Sequence, residues 1–314
     1  MSHTHDQPHA HAPAPAPGPP PPHSHSHSHS HEGDFDWVAL GAHLEREAEL
    51  HAPAFGGAVE WLGELAADGG AGVRRILDVG SGPGVVTCLL ADAFPQAETV
   101  AVDQAAGLLE RVRERADARG PGPRVRVQQA ELPGEFETLG TADLLWSSNV
   151  VHHLGDQAKA LRSLGERLRP GGVLAVAEGG LPLRCLPRDI GLGRPGLLVR
   201  MEAATSEVFA AMRDRLPERT PVVEDWPALL AGAGLLPTGT RTFLADHPSP
   251  LGLTAREHLH AQLSRQRDQI GDRLDAEDRA ALDTLLDADS PSGILWRPDA
   301  FYLTALTVHT ARRP

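Results

Sequence analysis

The sequence predicts an α/β fold with a doubly wound, mostly parallel sheet, and two observations lead to this prediction. First, short apolar runs alternate with longer segments of helical periodicity along residues 74–178. Second, the first apolar run ends at Asp78 and is followed by three glycines at alternate positions, Gly80, Gly82 and Gly84. Glycine loops of this kind lie at the carboxyl ends of parallel strands, where the backbone closely approaches a ligand. The chain has 314 residues and is 41% hydrophobic, which is enough for a large core.

The elements of the first half follow from their residue patterns. Apolar residues at helical spacing predict a helix over 36–50, and a second helix is expected at 57–65. Five buried runs predict strands at 74–79, 98–103, 124–129, 142–148 and 172–178. Helices are expected between them at 84–94, 105–119 and 156–168, the last of which is ended by Pro170, Gly171 and Gly172. Strands that alternate with helices predict parallel pairing through right-handed crossovers.

The regular alternation ends after residue 178. Residues 181–196 are rich in proline, glycine and arginine and predict a loop, and an apolar stripe then predicts a helix over 197–216. The remaining predicted elements are a helix at 226–233, a strand at 238–244, helices at 253–269 and 276–286, and a final strand at 301–311. We expect the additions at 181–221 and 251–298 to form a helical lid over the ligand crevice.

The first 33 residues differ in composition from the rest of the chain. They contain a proline-rich run at 12–22, followed by histidines that alternate with serine. Because such residues cannot build a core, we predict a disordered tail. Alternating histidines on a flexible segment could bind divalent metals adventitiously; these are His23, His25, His27, His29 and His31. No metal site is expected in the core.

Composition disfavours several classes of protein. The formal net charge is −13 and there is no concentrated Lys/Arg run, so a nucleic-acid partner is not expected. The two cysteines, Cys88 and Cys185, fit neither a disulfide framework nor a metal motif. No apolar run approaches the roughly 18 residues that span a bilayer, and no leader pattern is evident. A cytoplasmic protein without a membrane partner is therefore expected, and its oligomeric state is left open.

The spacing of the glycine loop bears on its ligand. A dinucleotide fingerprint, Gly-x-Gly-x-x-Gly, would place its last glycine at position 85, which is occupied by Val85. The loop therefore favours a ligand other than a nicotinamide dinucleotide. Asp103 ends the second predicted strand, where a carboxylate can accept hydrogen bonds from both ribose hydroxyls of an adenosine cofactor.

Five segments in order resemble the class I S-adenosylmethionine-dependent methyltransferases. They are ILDVGSGPG (76–84), VAVDQ (100–104), QQAELP (128–133), DLLWSSNVVHHL (143–154) and LRPGGVLAVAE (168–178). The resemblance implies a Rossmann-like methyltransferase sheet, mostly parallel with the last strand antiparallel, that carries helical lid insertions. It implies S-adenosyl-L-methionine as the cofactor and a small-molecule acceptor for the methyl group.

The resemblance also implies a role for each matching residue. The loop around Gly80 and Gly82 would lie under the methionine half of the cofactor, with Asp78 fixing the loop and the ammonium group. Asp103 would bind the ribose, and Gln129 stands where family members often carry an acidic residue that contacts adenine. The full predicted cofactor site is Asp78, Gly80, Ser81, Gly82, Gly84, Asp103, Gln104, Gln129, Ala130, Glu131 and Asn149.

Two adjacent histidines are the catalytic candidates. His152 and His153 follow the fourth strand, where a reacting group would lie, and histidine can take a proton near neutral pH. The alternative is that this pair packs against the next helix and caps it. The residues after Asn149 lack the proline pair of amino-group methyltransferases, which disfavours methylation of nucleic-acid bases.

The predicted organisation has five parts. They are a tail at 1–33, a core with its leading helices at 34–180, a lid insertion at 181–221, the remaining core at 222–250 and 299–314, and a helical insertion at 251–298. Three other hypotheses stay open at this point. They are an NAD(P)-dependent oxidoreductase, a non-catalytic module that binds the same cofactor, and a metal-handling protein that depends on the tail alone.

Overall fold

Seven strands form one sheet in the computed structural model, in the order β3-β2-β1-β4-β5-β7-β6. They are β1 (Arg75–Val79), β2 (Glu98–Asp103), β3 (Val125–Gln129), β4 (Ala142–Ser148), β5 (Leu168–Arg184), β6 (Leu236–His247) and β7 (Tyr302–Arg312). Strands β1 to β5 pair in parallel, whereas β7 runs antiparallel to both β5 and β6. The doubly wound sheet with an antiparallel last strand, predicted from the sequence, is confirmed.

Nine α-helices accompany the sheet within the residues that the structure describes, which are 37–68, 72–120 and 122–314. They are α1 (Trp37–Leu50), α2 (Ala52–Asp68), α3 (Val85–Ala93), α4 (Ala106–Arg119), α5 (Gln157–Glu166), α6 (Leu197–Asp214), α7 (Trp226–Gly232), α8 (Leu253–Ile270) and α9 (Ala276–Leu286). The predicted tail at 1–33, with its histidines, lies outside the described residues.

Apolar side chains cover both faces of the sheet, which is the arrangement of parallel sheets. On β5, Leu174 and Val176 point into a cluster with α5 and α7. Their neighbour Ala175 points into the opposite cluster, which contains residues of α2 and α3. Because successive side chains of a strand alternate between faces, a continuous apolar run of this kind is buried on both sides.

The strand order reverses between β1 and β4, because β2 and β3 lie on one side of β1 while β4 and β5 lie on the other. Loops that leave neighbouring strands in opposite directions open a crevice at this point. The glycine loop after β1 and the segment after β4 are therefore placed on either side of the same crevice.

Strand β5 is longer than predicted and extends over Leu168–Arg184. Leu168 pairs with Ala142 of β4, and the pairing resumes only at Val173. The intervening residues form an irregularity that accommodates Pro170, which cannot donate to a regular ladder. The far end is extended by antiparallel pairing with β7, up to Arg184 opposite Leu303.

A separate apolar cluster joins the two helical insertions. Met201 of α6, Leu259 of α8 and Leu282 of α9 are buried together in it. Tyr302, the first residue of β7, belongs to the same cluster and is 1% exposed. The insertions predicted as a lid thus pack on each other and on the start of the last strand.

Candidate active site

The glycine loop joins β1 to α3 and opens toward the crevice. Gly80 has a φ of 72°, and a Cβ atom there would lie 2.1 Å from Cγ2 of Val150, so a side chain cannot be accommodated. Gly82 has a φ of 53°, and a Cβ atom there would meet no atom within 4 Å. The backbone at Gly82 therefore borders open space, where a ligand can contact it directly.

The carboxylate of Asp103 holds the loop from the neighbouring strand. Its Oδ2 accepts a hydrogen bond of 3.0 Å from the Gly82 N–H, and its Oδ1 accepts one of 2.9 Å from the Ala105 N–H. Burial raises the pKa of Asp103, and hydrogen bonds from backbone N–H groups partly oppose this rise. Each oxygen still has an acceptor position available, because an ionised carboxylate has about four lone-pair sites.

Asp78 lies beneath the loop and is 2% exposed. Its Oδ2 accepts a hydrogen bond of 2.5 Å from the hydroxyl of Thr87. Burial raises the pKa of Asp78 to about 7, and the nearby charge of Asp103 adds to this rise. Two carboxyl groups therefore lie close to the loop, and the buried one titrates near neutral pH.

The end of β3 places three predicted residues beside Asp103. The side-chain amide of Gln129 donates a hydrogen bond of 2.9 Å to the carbonyl oxygen of Gln104. The N–H of Ala130 donates a hydrogen bond of 3.1 Å to the carbonyl oxygen of Asp103. The N–H of Glu131 donates one of 2.6 Å to the carboxylate of Glu135. A ligand that bonds to either backbone N–H must replace one of these hydrogen bonds.

Glu178, at the end of the buried part of β5, organises the segment after β4. It is 2% exposed, and its Oε1 accepts hydrogen bonds of 3.1 and 2.8 Å from the N–H groups of Val150 and Val151. The preceding residue, Asn149, has a φ of 55°, a conformation that asparagine tolerates better than most residues. The pairing with β7 has one extra residue on β5 between Ala177 and Gly180, and this bulge places Glu178 at the cavity.

The two candidate histidines form a chain that starts at Glu178. Nδ1 of His152 lies 2.6 Å from Glu178 Oε2, and its Nε2 lies 3.0 Å from Nε2 of His153. Because a carboxylate can only accept, Nδ1 of His152 carries a proton, and in the neutral ring the lone pair of Nε2 accepts from Nε2–H of His153. The His153 ring is partly exposed, and desolvation of its buried part, together with the neighbouring His152, lowers its pKa.

Helix α6 fixes the position of this chain. Nη1 of Arg213 donates to the carbonyl oxygens of His152 and Leu154 at 2.5 and 2.7 Å. Phe209, one turn earlier, meets the His152 ring edge-on with ring centroids 5.4 Å apart. The predicted lid helix therefore orients the candidate catalytic residues directly.

A cavity of about 360 Å³ lies beside these residues. Its polar lining includes His51, His152, Glu178 and Glu224, together with Asn149. Its apolar walls include Leu181, Phe209, Trp226 and Leu306. Leu181 and Phe209 are each 37% exposed, and exposed apolar side chains that line a cavity are typical of a ligand site.

Of the fifteen residues that line this cavity, the sequence predicted only Asn149 and His152 as site residues, and three of those it missed are Glu178, His51 and Trp226. Glu178 carried a usable signal, because it is an ionisable residue at the end of an apolar strand. His51 and Trp226 carried none, because each lies at a helix end far along the chain from the motif segments. Of the site residues predicted from the sequence, the structure brings Asn149 and His152 to the cavity. The glycine loop and Asp103 border the other part of the crevice.

Three arginines in or next to the helical insertions pair with acidic residues of the same insertions. Arg184 pairs with Glu202 at 2.7 Å, and Arg200 and Arg194 both pair with Asp278 of α9.

No group of three or more potential metal ligands is found within the described residues. Across the same residues, no helix is both long and apolar enough to cross a membrane.

Residues 77–174 match the family model of a methyltransferase domain. A trans-aconitate 2-methyltransferase of Azoarcus sp. strain BH72 is 39% identical over 101 residues, which are 32% of this chain and 37% of that protein. Another, from Methylobacterium nodulans, is 32% identical over 163 residues, which are 51% of this chain and 57% of that protein. The chain thus spans from about a third to somewhat more than half of these relatives.

Among solved structures, an O-methyltransferase family protein from Burkholderia thailandensis is similar to this chain. It is 19% identical, with a TM-score of 0.43, and the match covers 66% of this chain and 59% of that one.

Proposed function

We propose that residues 77–174, which match the family model of a methyltransferase domain, form a class I S-adenosylmethionine-dependent methyltransferase core, and that the protein transfers a methyl group from S-adenosylmethionine to a small-molecule acceptor. One observation carries the proposal. The glycine loop tied to Asp103 borders the same crevice as a cavity that contains the Glu178–His152 pair.

The residues around the glycine loop fit this cofactor. The backbone at Gly82 borders open space, and the hydroxyl oxygen of Ser81 is buried without a partner among the described residues. The carboxylate of Asp103 is held in place and keeps acceptor positions for the two ribose hydroxyls. Helix α3 begins at Val85, directly after the loop, and its positive end favours the carboxylate of the methionine half.

The further contacts are proposed from the same placement. Asp78 and the loop residues Gly80 and Gly84 would support the methionine half, and Asn149 would lie near the departing methyl group. The end of β3 would face the adenine ring through Gln104, Gln129, Ala130 and Glu131. Ala130 would have to exchange its hydrogen bond to Asp103 for one to the adenine edge.

S-adenosylmethionine supplies a methyl group already activated by positive sulfur, so alignment and exclusion of water provide much of the rate. The protein's own task is to orient the acceptor and to remove its proton. Glu178 fixes the ring of His152 so that Nε2 accepts that proton once the acceptor has replaced His153 as its hydrogen-bond partner, and Glu178 stabilises the positive ring that results. After methyl transfer, His153 can return to Nε2 of His152 with its own Nε2 unprotonated, and its partly exposed ring then provides a route for the proton to water.

The substrate for which the curated relatives are named suits this cavity poorly. Those relatives are named for trans-aconitate, which carries three carboxylates. Among the described residues no lysine or arginine lines the cavity, and the chain has neither residue outside the described ranges. A tricarboxylate would therefore enter a cavity that offers two carboxylates and no fixed positive charge, which is unfavourable.

Ligand-dependent melting tests this proposal. A ligand that binds the native state raises the melting temperature, so S-adenosylmethionine and S-adenosylhomocysteine should both stabilise the protein. NAD and NADP serve as controls and should have no effect. The Asp103→Ala variant should lose most of the stabilisation, because the ribose loses its acceptor and Gly82 loses its hydrogen bond. Stabilisation by a nicotinamide nucleotide alone would contradict the proposal.

A further inference from the structure

A second histidine lines the cavity apart from the His152 chain. His51 is the single residue between α1 and α2, and it borders the cavity together with Ala54. Its Nε2 lies 2.8 Å from the hydroxyl of Tyr302, which is 1% exposed. The Tyr302 hydroxyl has no other hydrogen-bond partner within the described part of the chain.

The Tyr302 contact determines which ring nitrogen of His51 is left for a ligand. Burial raises the pKa of Tyr302 well above its usual range, so the hydroxyl keeps its proton. Because Nε2 of His51 is its one partner among the described residues, the buried O–H donates to Nε2 rather than staying unpaired. Burial, with a smaller effect of His247, lowers the pKa of His51 to about 4, so the ring is neutral. In a neutral ring whose Nε2 accepts, Nδ1 carries the hydrogen. His51 therefore has one N–H donor free of protein partners in the described chain.

The cavity thus combines two complementary histidines. His51 offers a donor at Nδ1, whereas Glu178 fixes the Nδ1 proton of His152 and so leaves a lone pair at Nε2, which a ligand reaches by replacing the hydrogen bond to His153. Phe209 and Trp226 provide flat apolar walls. These features suit an uncharged ring that carries a hydroxyl group, since the hydroxyl can donate to one histidine while an oxygen accepts from the other.

We propose that the acceptor is an uncharged phenol, which His51 binds through Nδ1–H and whose hydroxyl proton His152 removes. This inference rests on the proposed function and names the substrate class of the same site. In the reaction, a lone pair of the phenolic oxygen forms the new bond to the methyl carbon, and the carbon–sulfur bond breaks with its electron pair retained by sulfur. The phenolic proton passes to Nε2 of His152, so charge balances and no oxidant or reductant is required.

Proton affinity favours a phenol over an aliphatic alcohol. A phenol has a pKa of about 10, whereas histidine as a residue type titrates near about 6.5, and this gap is small enough for general-base assistance. An aliphatic hydroxyl is far less acidic. A carboxylate acceptor would lie beside Glu178 and Glu224 without a positively charged partner. The cavity therefore favours the neutral, weakly acidic hydroxyl.

Ring-matched compounds test the substrate class. Phenol is compared with benzoate, naphthol with naphthoate, and anthrol with anthracene carboxylate, each as acceptor of labelled methyl from S-adenosylmethionine and as ligand of the complex with S-adenosylhomocysteine. We expect at least one phenol to be methylated, with a preference of more than about tenfold in kcat/KM over its carboxylate. Methylation of a carboxylate in preference to its phenol, or of no phenol in the set, would overturn the inference.

Variants of His51 test the assigned contact. His51→Leu removes the donor and should raise KM for the phenol about five- to tenfold with little change in kcat. In His51→Asn the side-chain nitrogen stands the same number of bonds from Cβ as Nδ1, so this variant should restore much of the KM. Tyr302→Phe, which acts through His51, should raise KM in the same direction but by less.

Binding of S-adenosylhomocysteine separates the two levels of failure. If the unaltered protein does not bind it, the proposed function fails. If it binds equally to the unaltered protein and to His51→Leu, while the phenol KM is unchanged by the substitution, only the assignment of His51 fails. Circular dichroism and melting temperature establish that each variant is folded.

Discussion

At the residue scale, the site depends on buried carboxyl groups whose partners differ. Glu178 accepts hydrogen bonds from two backbone N–H groups and lies against His152, so its negative charge is well compensated. Asp78 has one hydroxyl partner and faces Asp103, so its charge is poorly compensated. The same chemical group therefore serves to orient a base in one case and titrates near neutral pH in the other.

The raised pKa of Asp78 predicts a pH dependence of stability. Its folded-state pKa is about 7, above the ordinary value of 3.8, so between these values the native state binds more protons than the unfolded state. This group's contribution to stability is present at low pH and is lost as pH rises through about 7. Relative to Asp78→Asn, the wild type should lose stability with a slope of up to about 1.4 kcal/mol per pH unit.

Thermal melts of both proteins between about pH 5 and about pH 8 provide the measurement. Asparagine can still accept the hydrogen bond from Thr87, so the comparison isolates the titration. Parallel curves for the two proteins would show that Asp78 does not titrate in this window.

At the scale of elements, helices α1 and α8 meet through two histidine rings. His43 and His258 stack with ring centroids 4.6 Å apart and ring planes 4° from parallel. His258 is 1% exposed, and neither of its ring nitrogens makes a well-formed hydrogen bond with the described residues, although a weak interaction with the side chain of Gln262 opposes the fall in its pKa. Burial, with a further effect of Arg265, lowers its pKa to about 4. The contact between these helices therefore requires neutral rings.

Replacing His258 by leucine should stabilise the protein, most strongly at low pH. The folded-state pKa lies below the ordinary value of 6.5, so wild-type stability is complete above about 6.5 and is lost as pH falls through about 4. His258→Leu removes this loss and the buried ring nitrogens that lack a well-formed hydrogen bond, and one unpaired buried polar group costs about 1–3 kcal/mol. Melting temperatures at about pH 7 and about pH 5 should both rise, and the drop between them should shrink.

The neighbouring His260 offers a matched control on the same helix. Its Nε2 is hydrogen-bonded to the carbonyl of Leu286 at 2.9 Å. His260→Leu should therefore lower the melting temperature at both pH values. A stabilising effect of this control, or a destabilising effect of His258→Leu, would contradict the account of the α1–α8 contact.

At the scale of the whole molecule, the sheet and the helical insertions have separate apolar clusters. Helix α6 connects them, because Met201 lies in the cluster of the insertions while Phe209 and Arg213 reach the cavity and the His152 segment. Its first turns are tied to α9 by Arg200, which donates two hydrogen bonds, at 2.6 and 2.7 Å, to Asp278. The position of the cavity, the proposed acceptor site, therefore depends on packing far from the glycine loop.

Breaking the tie between α6 and α9 should loosen the lid without affecting the cofactor loop. Asp278 is 2% exposed, and Arg200 and Arg194 hold its pKa below the ordinary range. Asp278→Asn should destabilise the protein by about 1.5–3 kcal/mol and increase amide hydrogen exchange across α6. Affinity for S-adenosylhomocysteine, measured by calorimetry, should be unchanged.

Asp283 on the same helix provides the control, since it pairs with Arg267 on the exposed surface at 3.0 Å. Asp283→Asn should have little effect, because exposed ion pairs contribute about 0–1 kcal/mol. An equal loss of cofactor affinity in Asp278→Asn would show that the lid and the cofactor loop are one unit.

Local patterns predicted most of the fold. The strand at 142–148 and the helix at 276–286 have the predicted bounds, because strong periodicity there agrees with burial. The predicted bounds of β5, 172–178, were wrong, because the ends of this strand are determined by pairing with β4 and β7 rather than by its own residues. Helix α2 begins at Ala52 instead of 57, as proline at its second position is compatible with a first helical turn.

The sequence alone determined the parallel sheet, the glycine loop and the placement of Asp103 on the adjacent strand. These follow from spacing within short segments, since backbone geometry ties neighbouring residues to one strand or turn. Only the tertiary structure decided which side chains share the acceptor cavity. His51, His152 and Glu178 come from three distant segments, and they meet because strand order, a β-bulge and the helical insertions bring them together.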